Sequence, residues 1–191
     1  PSVYMTEEEG LRLLPRLGGA ARLTSRSKRI RGSGENVLAR KGNPAGGRIV
    51  VTAHIDAKKG TPGAIDNATG VAVLLLLAKL MEDYDGEKQV EIVALNGEDY
   101  YAVPGQMLYL RANEGRMGEI LVDINIDGAG YKDGPSAVSF YELPDEVKAN
   151  ALGVFSRFEG IVEGPQWPQG DHSIFIQSGC PAIAVTSQWF T

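Results

Sequence analysis

The sequence predicts an α/β fold with a mostly parallel, buried sheet. Two observations carry this. Residues 48–55, 88–95 and 119–127 are short apolar runs with the length and β-branched content of strands buried on both faces. Helical patterns separate these runs, which is the order of repeated strand–helix–strand units. The chain of 191 residues, 43% hydrophobic and 23% charged, is long enough to bury one sizeable core.

Each element has a local reason. Thr6 followed by Glu9 is a capping box that starts a short helix, with Leu11, Leu13 and Leu14 on its apolar face. Pro15 and the Gly18-Gly19 pair end it. Residues 20–31 and 35–40 read as strands, and the glycine-rich stretch 42–47 as a turn. The buried strand 48–55 leads through a Gly60–Gly63 loop into a helix over 67–84. That helix is apolar nearly all round, so it is expected between packed layers. Strand 88–95, a helix over 106–112 and strand 119–127 follow, then a strand over 136–142. Pro144 opens a helix running to about residue 158. A short helix at 173–177 precedes a last strand at 181–186.

Composition excludes several classes. The longest apolar run, residues 71–78, is too short to span a bilayer. One cysteine, Cys180, rules out an internal disulfide framework and a Cys-rich zinc site, and reads as core. Residues 11–41 carry nine Lys or Arg against one acid, while residues 42–191 carry ten against twenty. The basic stretch has no aromatic residue to stack a base, so it reads as a solvated face and no nucleic-acid partner is expected. The acidic remainder suits a protein that holds cations or binds amines.

Ligands of open α/β sheets bind beyond the carboxyl ends of the strands. The first buried strand ends in His54 and Asp56, the second in Glu98 and Asp99, the third in Asp127. The loop after the first brings Asp66 to a helix start. Gathering carboxylates costs repulsion and desolvation, which cations offset. Imidazole with carboxylates suits zinc, and a bridging carboxylate suits a metal pair.

The ordered set His54-x-Asp56, Gly63-Ala-x-Asp66-Asn67-x-x-Gly70, Gly97-Glu98-Asp99 and Asp127 resembles the M28 zinc aminopeptidases over about residues 36–187. The resemblance implies a three-layer α/β/α sandwich holding two zinc ions. It implies that His54 and Asp127 bind one zinc, Asp66 bridges both, and Asp99 binds the other. Glu98 would be the general base and Asp56 would orient His54. It further implies a cis peptide between Asp66 and Asn67. The activity implied is hydrolysis of the N-terminal peptide bond through a metal-activated water, with a peptide bearing a free N-terminus as partner.

The chain departs from the family in two places. Glu98-Asp99 stands where the family usually has Glu-Glu. The family's histidine beyond the last strand has no counterpart, and the only other histidine, His172, matches an upstream motif beside the site rather than a ligand. Residues 1–35 resemble the tail of a preceding or inserted segment. Residues 36–191 then read as a catalytic domain lacking its C-terminal end, with fewer metal ions and weaker activity than the whole enzyme. Two rivals share the fold: a glutaminyl-cyclase-like enzyme with one zinc, and a non-catalytic binding module, against which the retained Glu98 argues. Tyr100, Tyr101 and Trp167 could line the pocket. Asn67-Ala-Thr69 is a glycosylation sequon, but it would lie inside the site.

Overall fold

The computed structural model describes residues 5–26, 28, 31–100 and 102–191. The chain divides into two compact units, residues 1–32 and 33–191.

In the first unit, α1 (Glu7–Leu13) begins at the expected capping box. The Thr6 hydroxyl accepts from the Glu9 backbone N–H, and the Glu9 carboxylate accepts from that of Thr6. A single 3₁₀ turn, Leu14–Arg16, follows with Pro15 in its first turn. The strand expected over 20–31 is absent from the described residues 20–26, 28 and 31, and residues 27, 29 and 30 lie outside the description. Those described residues are all exposed, so no ladder or covered face holds them extended.

The second unit is built on a seven-stranded mixed sheet of order β1-β3-β2-β4-β7-β5-β6. Its strands are β1 (Val37–Gly42), β2 (Arg48–His54), β3 (Gln89–Leu95), β4 (Ile120–Ile126), β5 (Ser136–Tyr141), β6 (Ile161–Glu163) and β7 (Ala182–Ser187). The pairs β2–β3, β2–β4, β4–β7 and β5–β6 are parallel. The pairs β1–β3 and β5–β7 are antiparallel. The short strand β6 escaped the sequence reading because three residues carry no periodicity.

The helices of this unit are α2 (Thr69–Leu80), α3 (Pro104–Ala112), α4 (Asp145–Phe155) and α5 (His172–Gln177). From β2 the chain crosses by α2 to β3 on one side, then by α3 to β4 on the other. Right-handed crossovers in opposite directions must place α2 and α3 on opposite faces. The core clusters obey this. Val50 of β2 packs with Tyr109 of α3 and Phe175 of α5, whereas Val51 and Ala53 pack with Leu74 of α2. Such a reversal of strand order opens a crevice at the carboxyl ends of β2 and β4.

Helix α2 departs from expectation in two ways. It is shorter, preceded by a kinked helical turn (Ala64–Ala68) whose Asp66 and Asn67 have non-helical backbone angles. It is also covered on one side only. Leu74 is buried, while Leu75, Leu76 and Leu80 are 68%, 65% and 80% exposed. Continuous apolar sequence was read as burial all round, yet among the described residues only the sheet side of α2 finds a partner.

At the other end of the sheet lies a buried polar network that apolar periodicity could not reveal. Glu91 accepts from Tyr109 Oη (2.7 Å), Arg48 Nη1 (3.2 Å) and Arg40 Nε. Arg48 also donates to Asn113 Oδ1 (2.8 Å) and the Arg116 carbonyl (3.2 Å). Burial alone would raise the Glu91 pKa, but these donors outweigh it and lower it.

Candidate metal centre

Strands β3, β2 and β4 run parallel side by side, so their carboxyl ends share one edge. His54 is the last residue of β2 and is almost fully buried. Its Nδ1 lies 2.9 Å from the Asp56 backbone carbonyl, which can only accept, so Nδ1 carries a hydrogen. This turns Nε2 toward the crevice, 2.9 Å from Asp66 Oδ1 and 3.2 Å from Asp127 Oδ1. Burial disfavours charge on His54, yet hydrogen bonds to Asp127 and Asp66 outweigh it and raise its pKa to about 11. The bond to His54 likewise lowers the Asp66 pKa.

Asp56 contacts His54 through its backbone carbonyl rather than its carboxylate. Its carboxylate Oδ1 is 3.7 Å from His54 Nδ1, beyond hydrogen-bond distance. The carboxylate is taken instead by three backbone N–H groups, those of Gly97, Glu98 and Asp99. Asp56 thus bonds His54 through its main chain and fixes the loop after β3 through its side chain. Gly97 makes that loop possible: its φ is +96°, and a Cβ there would meet Pro104 Cδ at 2.6 Å.

That loop delivers Glu98 and Asp99. Burial pushes the Glu98 carboxyl up to about 7, with His54 opposing and Asp127, Asp171 and Asp99 reinforcing the rise. Asp99 is raised as well, first by burial and then by the charge of Asp66. One of its oxygens, Oδ2, is buried without a partner among the described residues. Atoms of His54, Asp66 and Asp99 all lie within 4.8 Å of one another. The structure therefore brings His54, Asp66, Asp99 and Asp127 to one place, from three strand ends and one helical turn.

The Asp66–Asn67 peptide is cis, as the resemblance implies. Asn67 is buried, its Nδ2 donating to the Ile126 carbonyl and its Oδ1 accepting from the Gly70 N–H. Its side chain therefore offers no accessible glycosylation site.

His172 is not among the residues whose ligand atoms cluster with His54, and its Nδ1 is buried without a partner among the described residues. A backbone carbonyl, that of Trp167, lies 3.0 Å from its Nε2, so this nitrogen donates. Its ring packs against Tyr141 and Trp167, at centroid distances of 5.0 and 4.6 Å. Burial lowers its pKa. Tyr100 is half-exposed, and Tyr101 lies outside the described residues.

Two residues near the site went unread in the sequence. The first, Asp171, immediately precedes His172. It is fully buried, accepts from Gln106 Nε2 at 2.7 Å, and is pushed up to about 7 by burial. Lys58, in the loop after β2, donates to the Asp99 carbonyl at 3.2 Å. An exposed lysine in a glycine-rich loop gives no sequence signal.

Three comparisons bear on this geometry. Aminopeptidase YwaD of Bacillus subtilis (strain 168) is 27% identical over 82 residues, 43% of this chain and 18% of that protein. The aminopeptidase from Aneurinibacillus sp. strain AM-1 superposes with a TM-score of 0.68 at 25% identity, over 80% of this chain and 39% of its own. BSAP, a zinc aminopeptidase from Bacillus subtilis, gives a TM-score of 0.66 at 21% identity with the same coverage, a likeness of fold. The chain thus spans less than half the length of each of these relatives. The sequence profile of Peptidase family M28 matches residues 36–191. With most of its length inside that match, the chain belongs to peptidase family M28.

Proposed function

We propose that residues 36–191 form the catalytic region of a zinc-dependent aminopeptidase on a three-layer α/β/α sandwich. The convergence of His54 Nε2 on Asp66 and Asp127, with Asp99 alongside, carries this reading. The donor set fits zinc: one imidazole with its Nδ1 hydrogen already committed, several carboxylates, and a buried Asp99 oxygen with no described partner. His54 and Asp127 would hold one ion, Asp66 would bridge, and Asp99 would face a second.

Zinc, when bound, polarises a carbonyl and brings the pKa of a water toward ~7. Glu98, whose carboxyl is raised by burial, would take a proton from the attacking water and pass it to the leaving nitrogen. Asp56 keeps Glu98 in place by holding its backbone N–H. The acidic cluster receives the ammonium of a peptide's free N-terminus.

The test is hydrolysis of aminoacyl chromogenic amides by zinc-loaded protein, beside a glutaminyl substrate. Release of the chromophore that disappears with chelator supports the aminopeptidase. Cyclisation of the glutaminyl substrate without amide hydrolysis supports a mononuclear cyclase instead. One observation favours that second reading: ligand atoms of His54, Asp66 and Asp99 all lie within 4.8 Å of one another, close enough to serve a single ion.

A further inference from the structure

Glu98 and Asp99 ride on the loop that leaves β3, among other carboxylates. Burial raises both carboxyls, and like charges add to the rise, Asp127 and Asp171 at Glu98 and Asp66 at Asp99. Repulsion of this kind pushes a loop outward, whereas a reacting group must be held within ~0.5 Å of its working position. The loop therefore needs anchors.

The loop after β2 supplies them with both signs of charge. The Asp56 carboxylate accepts from the N–H groups of Gly97, Glu98 and Asp99. Two residues further on, Lys58 takes the other side of the same segment. Its ammonium donates to the Asp99 backbone carbonyl at 3.2 Å and stands 3.9 Å from Asp99 Oδ1. Carboxylate thus meets donors and ammonium meets acceptors along three consecutive residues. The backbone from which the ammonium springs is itself fixed. The Lys58 carbonyl accepts from the Thr61 N–H at 3.0 Å and from the Thr61 hydroxyl at 2.8 Å.

Resting on the aminopeptidase reading above, we propose that Lys58 is a positioning residue for Glu98, closing at the Asp99 carbonyl the segment that Asp56 holds by its amides. Lys58 acts through the loop and not on the substrate. Its loss leaves the carbonyl end of the segment unanchored, so Glu98 strays from the line of proton transfer. The effect therefore falls on turnover and spares substrate binding.

The experiment compares wild type, Lys58→Met, Lys58→Arg and Lys59→Met as zinc-loaded whole chains. It reads hydrogen exchange at the amides of residues 97–99 beside kcat and KM for an aminoacyl chromogenic amide. Lys58→Met should speed exchange there about tenfold and lower kcat by ~10–10²-fold, with KM within about twofold of wild type. Lys58→Arg still carries a donor for the carbonyl and should recover most of both. Lys59, exposed in the same turn, is the control, and Lys59→Met should match wild type. Unchanged exchange in Lys58→Met would overturn the anchor. Faster exchange with unchanged kcat, or a change in KM alone, would overturn its part in catalysis. A wild-type chain that hydrolyses nothing would sink the aminopeptidase reading instead, and the exchange rates would still decide whether Lys58 holds the loop.

Discussion

Burial and neighbouring carboxylates push the carboxyl of Glu98, the base proposed above, up to about 7. Replacing it with alanine should lower turnover by ~10²–10⁴, the usual worth of a positioned base. Zinc content, measured on the same preparation, should be unchanged because Glu98 is not among the proposed ligands. A second residue-level expectation concerns Asp171. Its folded pKa, about 7, lies above the ordinary 3.8, so the folded chain keeps a proton that the unfolded chain loses. Stability should therefore fall as pH rises from 4 to 7, by ~1.4 kcal/mol per pH unit for such a group. Asp171→Asn keeps an acceptor for Gln106 and removes this slope. Thermal melts across that range should show the variant gaining on wild type as pH rises, and parallel curves would count against it. The residues gathered at the centre were legible in the sequence because each ends a buried strand or opens a helix. Contacts made through backbone were not legible. Nothing in the sequence says that Asp56 would bond His54 by its carbonyl and spend its carboxylate on three N–H groups.

Among the elements, α2 and the β2–β3 pair give opposed expectations. Leu74 faces the sheet, and Leu74→Ala should cost ~2–5 kcal/mol in denaturant unfolding. Leu75 faces away, and Leu75→Lys should change stability by no more than ~0.5 kcal/mol. Equal losses would mean that the outer face of α2 is covered. At the far end of the sheet, Glu91→Ala would leave buried Arg48 without its closest carboxylate, Glu119 standing at 3.7 Å, at a cost of ~3–5 kcal/mol. Element order and most boundaries were legible from periodicity, because strands buried on both faces form continuous apolar runs. Periodicity failed where burial and hydrophobicity part company. Leu75, Leu76 and Leu80 of α2 are exposed, while Arg48 and Glu91 are buried inside strands that looked merely apolar.

For the molecule as a whole, topology converts an acidic surplus into a site. Crossovers in opposite directions from the centre of the sheet leave a crevice at one edge, and the acidic strand ends fall there. Zinc should therefore bind the folded chain and not the unfolded one, adding ~2.7 kcal/mol at a hundredfold excess over its dissociation constant. Chelator should reverse the gain in melting temperature. The most direct measurement is diffraction at the zinc absorption edge from crystals of the zinc-loaded chain. An anomalous peak is expected ~2.0–2.2 Å from His54 Nε2 and from carboxylate oxygens of Asp66 and Asp127. Absence of a peak there, or a peak only at His172, would contradict the metal centre and the peptidase function proposed for it.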